Sequence, residues 1–109
     1  MTMKEIGKIE NIRFGFGGYQ DAMIGLSVTL SGKAWGVGDF KGFWTTECRK
    51  GCEWTETDRV LRLGEVVLFI QDLLTKAKKT DVAQLKGVPV EAIFEGNALK
   101  SWRILEEVL

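Results

Sequence analysis

The chain contains no histidine. That removes the side chain most often used as a general base or metal ligand near neutral pH, and with it every Ser–His or Cys–His dyad. The residues left with chemical potential are few: Cys48 and Cys52, the carboxylates Asp21 and Asp39, a glycine-rich stretch at Gly15–Gly18, and four tryptophans. Cys48-Arg-Lys-Gly-Cys52 offers two thiolates where a structural zinc site uses four donors, and no further thiol or imidazole exists to complete it. A redox dithiol more usually has the C-x2-C spacing beside a helix N-terminus. The plain reading is two unpaired thiols in a loop; a metal shared between two copies of the chain is the sharper one. Asp21 and Asp39 would serve acid/base work or a divalent ion only if the fold brought them together at one end of a meander. Aspartates at strand ends otherwise form turns. These residues assign no catalytic or metal site, and the expectation is a non-enzymatic protein without a cofactor.

Gly15-Phe-Gly-Gly18 resembles a phosphate loop in composition but not in context. A Rossmann or P-loop glycine run follows a strand and opens a helix whose N-terminus meets the phosphate. Here the next element is the strongest strand pattern of the chain: Ala22, Ile24, Leu26, Val28 and Leu30 alternate with Met23, Gly25, Ser27, Thr29 and Ser31. A hairpin turn needing positive φ accounts for the glycines.

The elements that must position these residues follow from periodicity. Ile12, Phe14 and Phe16 alternate before the turn, and Ala34–Phe40 reads as a third strand after Ser31-Gly-Lys33. From Thr57 to Lys79 the pattern turns helical. Leu61, Val66, Leu68, Phe69, Leu73, Leu74 and Ala77 form its expected buried face, Thr55 and Thr57 are candidate N-caps, and Lys76, Lys78 and Lys79 lie at the C-terminal end. Gly64, inside this run, is expected to mark close packing against a sheet. Val90–Glu95 and Leu99–Leu105 complete the chain as strands around Glu95-Gly-Asn97, with Trp102 and Ile104 on the core face. The order β-β-β-α-β-β predicts a single α+β domain over 1–109, an antiparallel sheet packed against one central helix.

Length and composition agree. A chain of 109 residues, 45% hydrophobic and 28% charged, is the size and make-up of one globular domain. Fifteen basic residues balance fifteen acidic ones, which argues against a generic grip on DNA or RNA. No apolar run reaches the length of a membrane span or has the form of a signal peptide, so the expected location is cytoplasmic.

Two stretches carry a family likeness: Arg13-Phe-Gly-Phe-Gly-Gly-Tyr-Gln-Asp-Ala-Met-Ile-Gly-Leu26 with Trp35-Gly-Val-Gly-Asp-Phe40, and Pro89-Val-Glu-Ala-Ile-Phe-Glu-Gly-Asn97 with Leu99-Lys-Ser-Trp-Arg-Ile-Leu105. Together they resemble a family of small proteins encoded by bacteriophages and prophages; Thr45–Cys52 departs most from it. The resemblance brings no catalytic motif. It implies an accessory protein of the host bacterial cytoplasm that antagonises anti-phage defence, either by sequestering a nucleotide-like signal or by blocking a defence protein directly. In the sequestering version a homo-oligomer holds the ligand. Tyr19, Trp35 and Trp44 stack on its base, Gln20, Asp21, Asp39 and Asn97 hydrogen-bond to it, and Arg103 pairs with phosphate. In the blocking version the same aromatic edge docks on a protein. Two other classes stay open: a module associated with single-stranded nucleic acid in phage replication or recombination, and a small nucleotide-degrading enzyme using Asp21 and Asp39.

Overall fold

The computed structural model describes residues 2–47 and 51–109. Five strands, β1 (Thr2–Gly17), β2 (Met23–Gly32), β3 (Gly36–Trp44), β4 (Pro89–Glu95) and β5 (Ala98–Ile104), form one antiparallel sheet in the order β3-β2-β1-β4-β5. A single helix, α1 (Glu56–Ala77), lies between β3 and β4 in the chain and packs mainly on β3 and β2. The α+β arrangement expected from periodicity is the one observed.

Strand β1 is the spine. Its 16 residues pair with β4 over Thr2–Lys8 and with β2 over Gly7–Gly17. A register shift between Ile9 and Asn11 inserts Glu10 as a bulge, which lets Ile9 and Ile12 both face the core. Alternation does the rest: Leu26, Val28 and Leu30 from β2, Val90 and Ala92 from β4 and Ile104 from β5 are all buried. β3 is longer than the alternation predicts, running to Trp44 rather than Phe40, because Phe40–Trp44 continues the pairing opposite Met23–Ser27. β1 likewise begins at Thr2, ten residues before the Ile12–Phe16 alternation, because Thr2–Lys8 pairs with Pro89–Glu95 of β4.

The first turn uses the glycine as expected. Gly18 has φ 70° and leads into the single turn Tyr19–Asp21, in which Gln20 and Asp21 also take positive φ (52° and 54°).

Of the two candidate caps, Thr55 is the N-cap. Its hydroxyl accepts the Asp58 N–H at 3.1 Å while the Asp58 carboxylate accepts the Thr55 N–H at 2.9 Å, a reciprocal capping box. The helix ends where Lys78 turns left-handed (φ 59°). Val66, Leu73 and Ala77 are buried, with Phe69, Ile70 and Leu74 packed beside them. Three expectations for this helix are corrected. Leu61 and Leu68 do not face the sheet but are 61% and 64% exposed. Gly64 is exposed too, and a methyl group there would meet nothing within 4 Å, so sheet packing does not explain a residue that costs about 1 kcal/mol relative to alanine in a helix. No helix among the described residues is long and apolar enough to cross a membrane.

Replacing Thr55 by alanine removes one half of the cap, and urea unfolding is expected to show a loss of about 1 kcal/mol.

Candidate functional site

The curled sheet brings its two edge strands, β3 and β5, opposite each other without pairing them. The gap is bridged by side chains. The Trp102 indole N–H donates to an Asp39 carboxylate oxygen at 2.9 Å, Phe69 of α1 packs edge-on to Trp102 at 5.8 Å between ring centroids, and Lys41 sits 4.9 Å above the Phe69 ring. Asp39 also lies 3.8 Å from the Lys41 ammonium. Trp102 thus joins the core with Ile104 as its alternation implies, and Asp39 is committed to a structural bridge. Asp21, in the β1–β2 turn, is exposed and belongs to the end of β2 where Met23 pairs with Trp44, whereas Asp39 pairs with Val28 in mid-strand. The two carboxylates do not meet.

The other expected site residues divide between separate regions. Tyr19, Gln20 and Asp21 are exposed in the β1–β2 turn, with Tyr19 74% accessible. Trp44, half-buried, closes the same end of the sheet beside Met23. Between that end and mid-sheet, Gly25 and Gly42 oppose one another across β2 and β3, so close that neither position has room for a Cβ. The Phe40 ring lies over Gly42, where an added methyl would stand 2.8 Å from it. The chain's own aromatic occupies this glycine lane, which accounts for the glycines without a ligand.

Trp35 and Asn97 come together at the opposite end. Trp35 closes the β2–β3 turn, where its carbonyl accepts the Gly32 N–H at 2.9 Å, and its indole lies across Gly7 and Gly32, positions at which a Cβ would collide with the ring. Phe94 meets it edge-on at 5.3 Å. Asn97 forms the tip of the β4–β5 hairpin beside Gly96, whose φ is 62°. Between the two turns runs an open groove of about 730 Å3 walled by Trp35, Phe94 and Met3, with Lys33, Glu5 and Asn97 as polar groups on its rim. This volume falls within the range of small-molecule sites, roughly 300–1,000 Å3. Sequence reasoning named Trp35 and Asn97 but missed Phe94, Met3 and Lys33. For Phe94 a signal existed, since Val90, Ala92 and Phe94 alternate on one face up to the Gly96 turn. For Met3 and Lys33 there was none, because they reach the groove only through the long-range pairing of β1 with β4 and the turn that Trp35 closes.

Arg103 is engaged elsewhere. Its strand position opposes Glu91, to which it donates at 3.1 Å, and its guanidinium also holds Glu107 through two 3.0 Å hydrogen bonds. This pairing lowers the Glu107 carboxyl from 4.5 to about 2, the Arg103 hydrogen bonds first and the residue's own backbone N–H second. The phosphate role expected for Arg103 would require it to leave two carboxylates. Cys52 is exposed, and Cys48 and the spacing it would define lie outside the described residues. Among the described residues no three metal-ligating side chains cluster.

No model of a known family, no curated protein and no solved structure matches this chain.

Two outcomes follow. Trp102→Phe keeps the ring against Phe69 but removes the donor to Asp39, and urea denaturation is expected to show a loss of about 1–2 kcal/mol. Because the folded-state pKa of Glu107 lies below its unfolded value, its contribution is present above pH 4.5 and is lost as pH falls toward 2. Glu107→Gln is therefore expected to flatten the urea midpoint between pH 4.5 and pH 2 relative to the unsubstituted protein, with both profiles measured in parallel.

Proposed function

We propose that this chain is a non-enzymatic binding protein that holds a base-bearing, nucleotide-like ligand in the groove between the β2–β3 turn and the β4–β5 hairpin. The groove itself carries the reading: an aromatic wall of Trp35 and Phe94, set beside the amide of Asn97 and the cation of Lys33, in a cleft of about 730 Å3. An aromatic wall stacks on a planar base at about 1–3 kcal/mol per base. An amide donates to and accepts from base edges, and a flexible ammonium suits a phosphate oxygen. In the setting that the family resemblance implies, such a protein serves as a sponge for a nucleotide signal of host anti-phage defence. This chain's part is capture rather than turnover, since Asp39 is tied to Trp102 and stands apart from Asp21.

A second reading, a single-stranded nucleic-acid module, is favoured by connectivity. Three meandering strands, a helix and a closing hairpin, with β1 shared between the halves and β3 facing β5, follow the strand order of the OB barrel, a fold that binds oligonucleotides through its β2–β3 face and its β1–β2 and β4–β5 loops. This support is analogy at the level of fold. Equal numbers of basic and acidic residues weigh against a long electrostatic track along a strand.

Tryptophan fluorescence, titrated in low salt with mono- and cyclic dinucleotides and with oligo-dT, separates the two. Saturable quenching by a small nucleotide, weakened about tenfold or more by Asn97→Ala or Lys33→Ala, supports the sponge. Quenching by oligo-dT alone, steeply lost with added salt, supports the nucleic-acid module. A signal unchanged by all of them, with native mass spectrometry of protein taken from phage-infected cells showing no bound small molecule, rejects the groove as a nucleotide site.

A further inference from the structure

Two carboxylates lie on strand positions of the sheet face that carries the core, Asp39 and Glu5. Asp39 is committed: it accepts from the Trp102 indole and lies 3.8 Å from the Lys41 ammonium. Glu5 is not. It stands between Met3 and Gly7 on β1, opposite the wholly buried Ala92, and it lines the groove together with Trp35 and Phe94. Among the described residues neither Glu5 nor Lys33, the cation of the same groove, belongs to an ion pair. A carboxylate on an apolar face loses hydration, a cost that only donors to it offset. Within the chain no cation supplies them, so they fall to the occupant of the groove.

We infer that the base this groove holds is guanine and that Glu5 selects it, an inference that rests on the nucleotide reading above. An ionised carboxylate only accepts hydrogen bonds, and its two oxygens suit a pair of parallel N–H groups. Guanine offers such a pair on its Watson–Crick edge, N1–H beside N2–H. Adenine has a lone pair at N1 and cytosine one at N3, while uracil flanks its single N–H with two carbonyls. Each of these turns an acceptor toward Glu5. The placement agrees. The indole lies across Gly7, and Glu5 is two residues further along β1, about 7 Å away at 3.4 Å per residue. A purine stacked on Trp35 with its long axis along the strand brings its Watson–Crick edge to the carboxylate. Asn97, beyond Met3 at the hairpin tip, donates its amide N–H to O6 on the same edge. Charge is divided in the same sense. Lys33 stands in the turn that Trp35 closes, so phosphate and carboxylate are held at opposite ends of the base.

Isothermal titration calorimetry in low salt, with GMP, IMP, AMP and UMP and with cyclic di-GMP against cyclic di-AMP, tests this. Guanine ligands are expected to bind about tenfold or more tightly than the adenine and uracil ones. IMP, which keeps N1–H but lacks the 2-amino group, should fall between. Glu5→Gln preserves shape but turns one acceptor into a donor. It should bring GMP and AMP to within about threefold of each other, with circular dichroism unchanged. Lys33→Ala should instead weaken every nucleotide by a similar factor and keep the guanine preference. Equal binding of guanine and adenine ligands, or a preference that survives Glu5→Gln, overturns selection by Glu5 and leaves the nucleotide reading standing. Binding of none of them overturns both.

Discussion

Every pairing in the sheet is connected through β1. Strands β2 and β3 are hydrogen-bonded into the sheet only through its C-terminal half, and β4 and β5 only through its N-terminal half. Without it the sheet separates into two hairpins, and isolated hairpins are marginal in water. The bulge at Glu10 sits where the two partners hand over, near the Gly7–Lys8 overlap, and sheets take their strongest local twist at such points. Curling there turns β5 back toward β3, and the Asp39–Trp102 bridge and the Trp35–Phe94 contact both depend on that return. The groove is thus a consequence of how one long strand divides its hydrogen bonds.

Much of this was legible in the residues. β2 could be read because one of its faces is buried from Leu26 to Leu30, which keeps the period of two free of exceptions. The helix start was legible only to within Thr55 and Thr57, and it is the reciprocal bonding with Asp58 that selects Thr55. What was not legible had non-local causes. The pairing of Thr2–Lys8 with β4 joins residues more than eighty positions apart, and nothing local in Met3 or Glu5 announces it. Leu61 and Leu68 look like core residues because helical spacing records that a face is apolar, not what covers it. Tyr19, Trp35 and Trp44 share a residue class, but the two turns at opposite ends of the sheet keep Trp35 from the other two. Arg103 was open to correct assignment: it alternates with Trp102, so it had to leave the core face, where Glu91 stands across the ladder.

The chain meets two needs by omitting side chains. Across β2 and β3, Gly25 and Gly42 let the strands close and leave space that Phe40 fills. Beneath Trp35, Gly7 and Gly32 let the indole lie flat on the sheet and form a wall rather than a plug. Seated in this way, the indole presents its outer side to the groove between the two turns.

The same long β1 leaves one flank bare. Past Lys8 it has no β4 partner, so among the described residues Asn11–Gly17 pairs on one side only, with Phe14 and Phe16 50% and 60% exposed beside that edge. An apolar strand with an open edge templates intermolecular sheet. Arg13 stands against this outcome: its guanidinium bends along the strand and donates to the Phe16 carbonyl at 2.6 Å, taking an acceptor that another strand would use. One arginine, with no part in the core or the groove, thereby covers an acceptor of the open edge, and its replacement by a short side chain leaves that carbonyl bare.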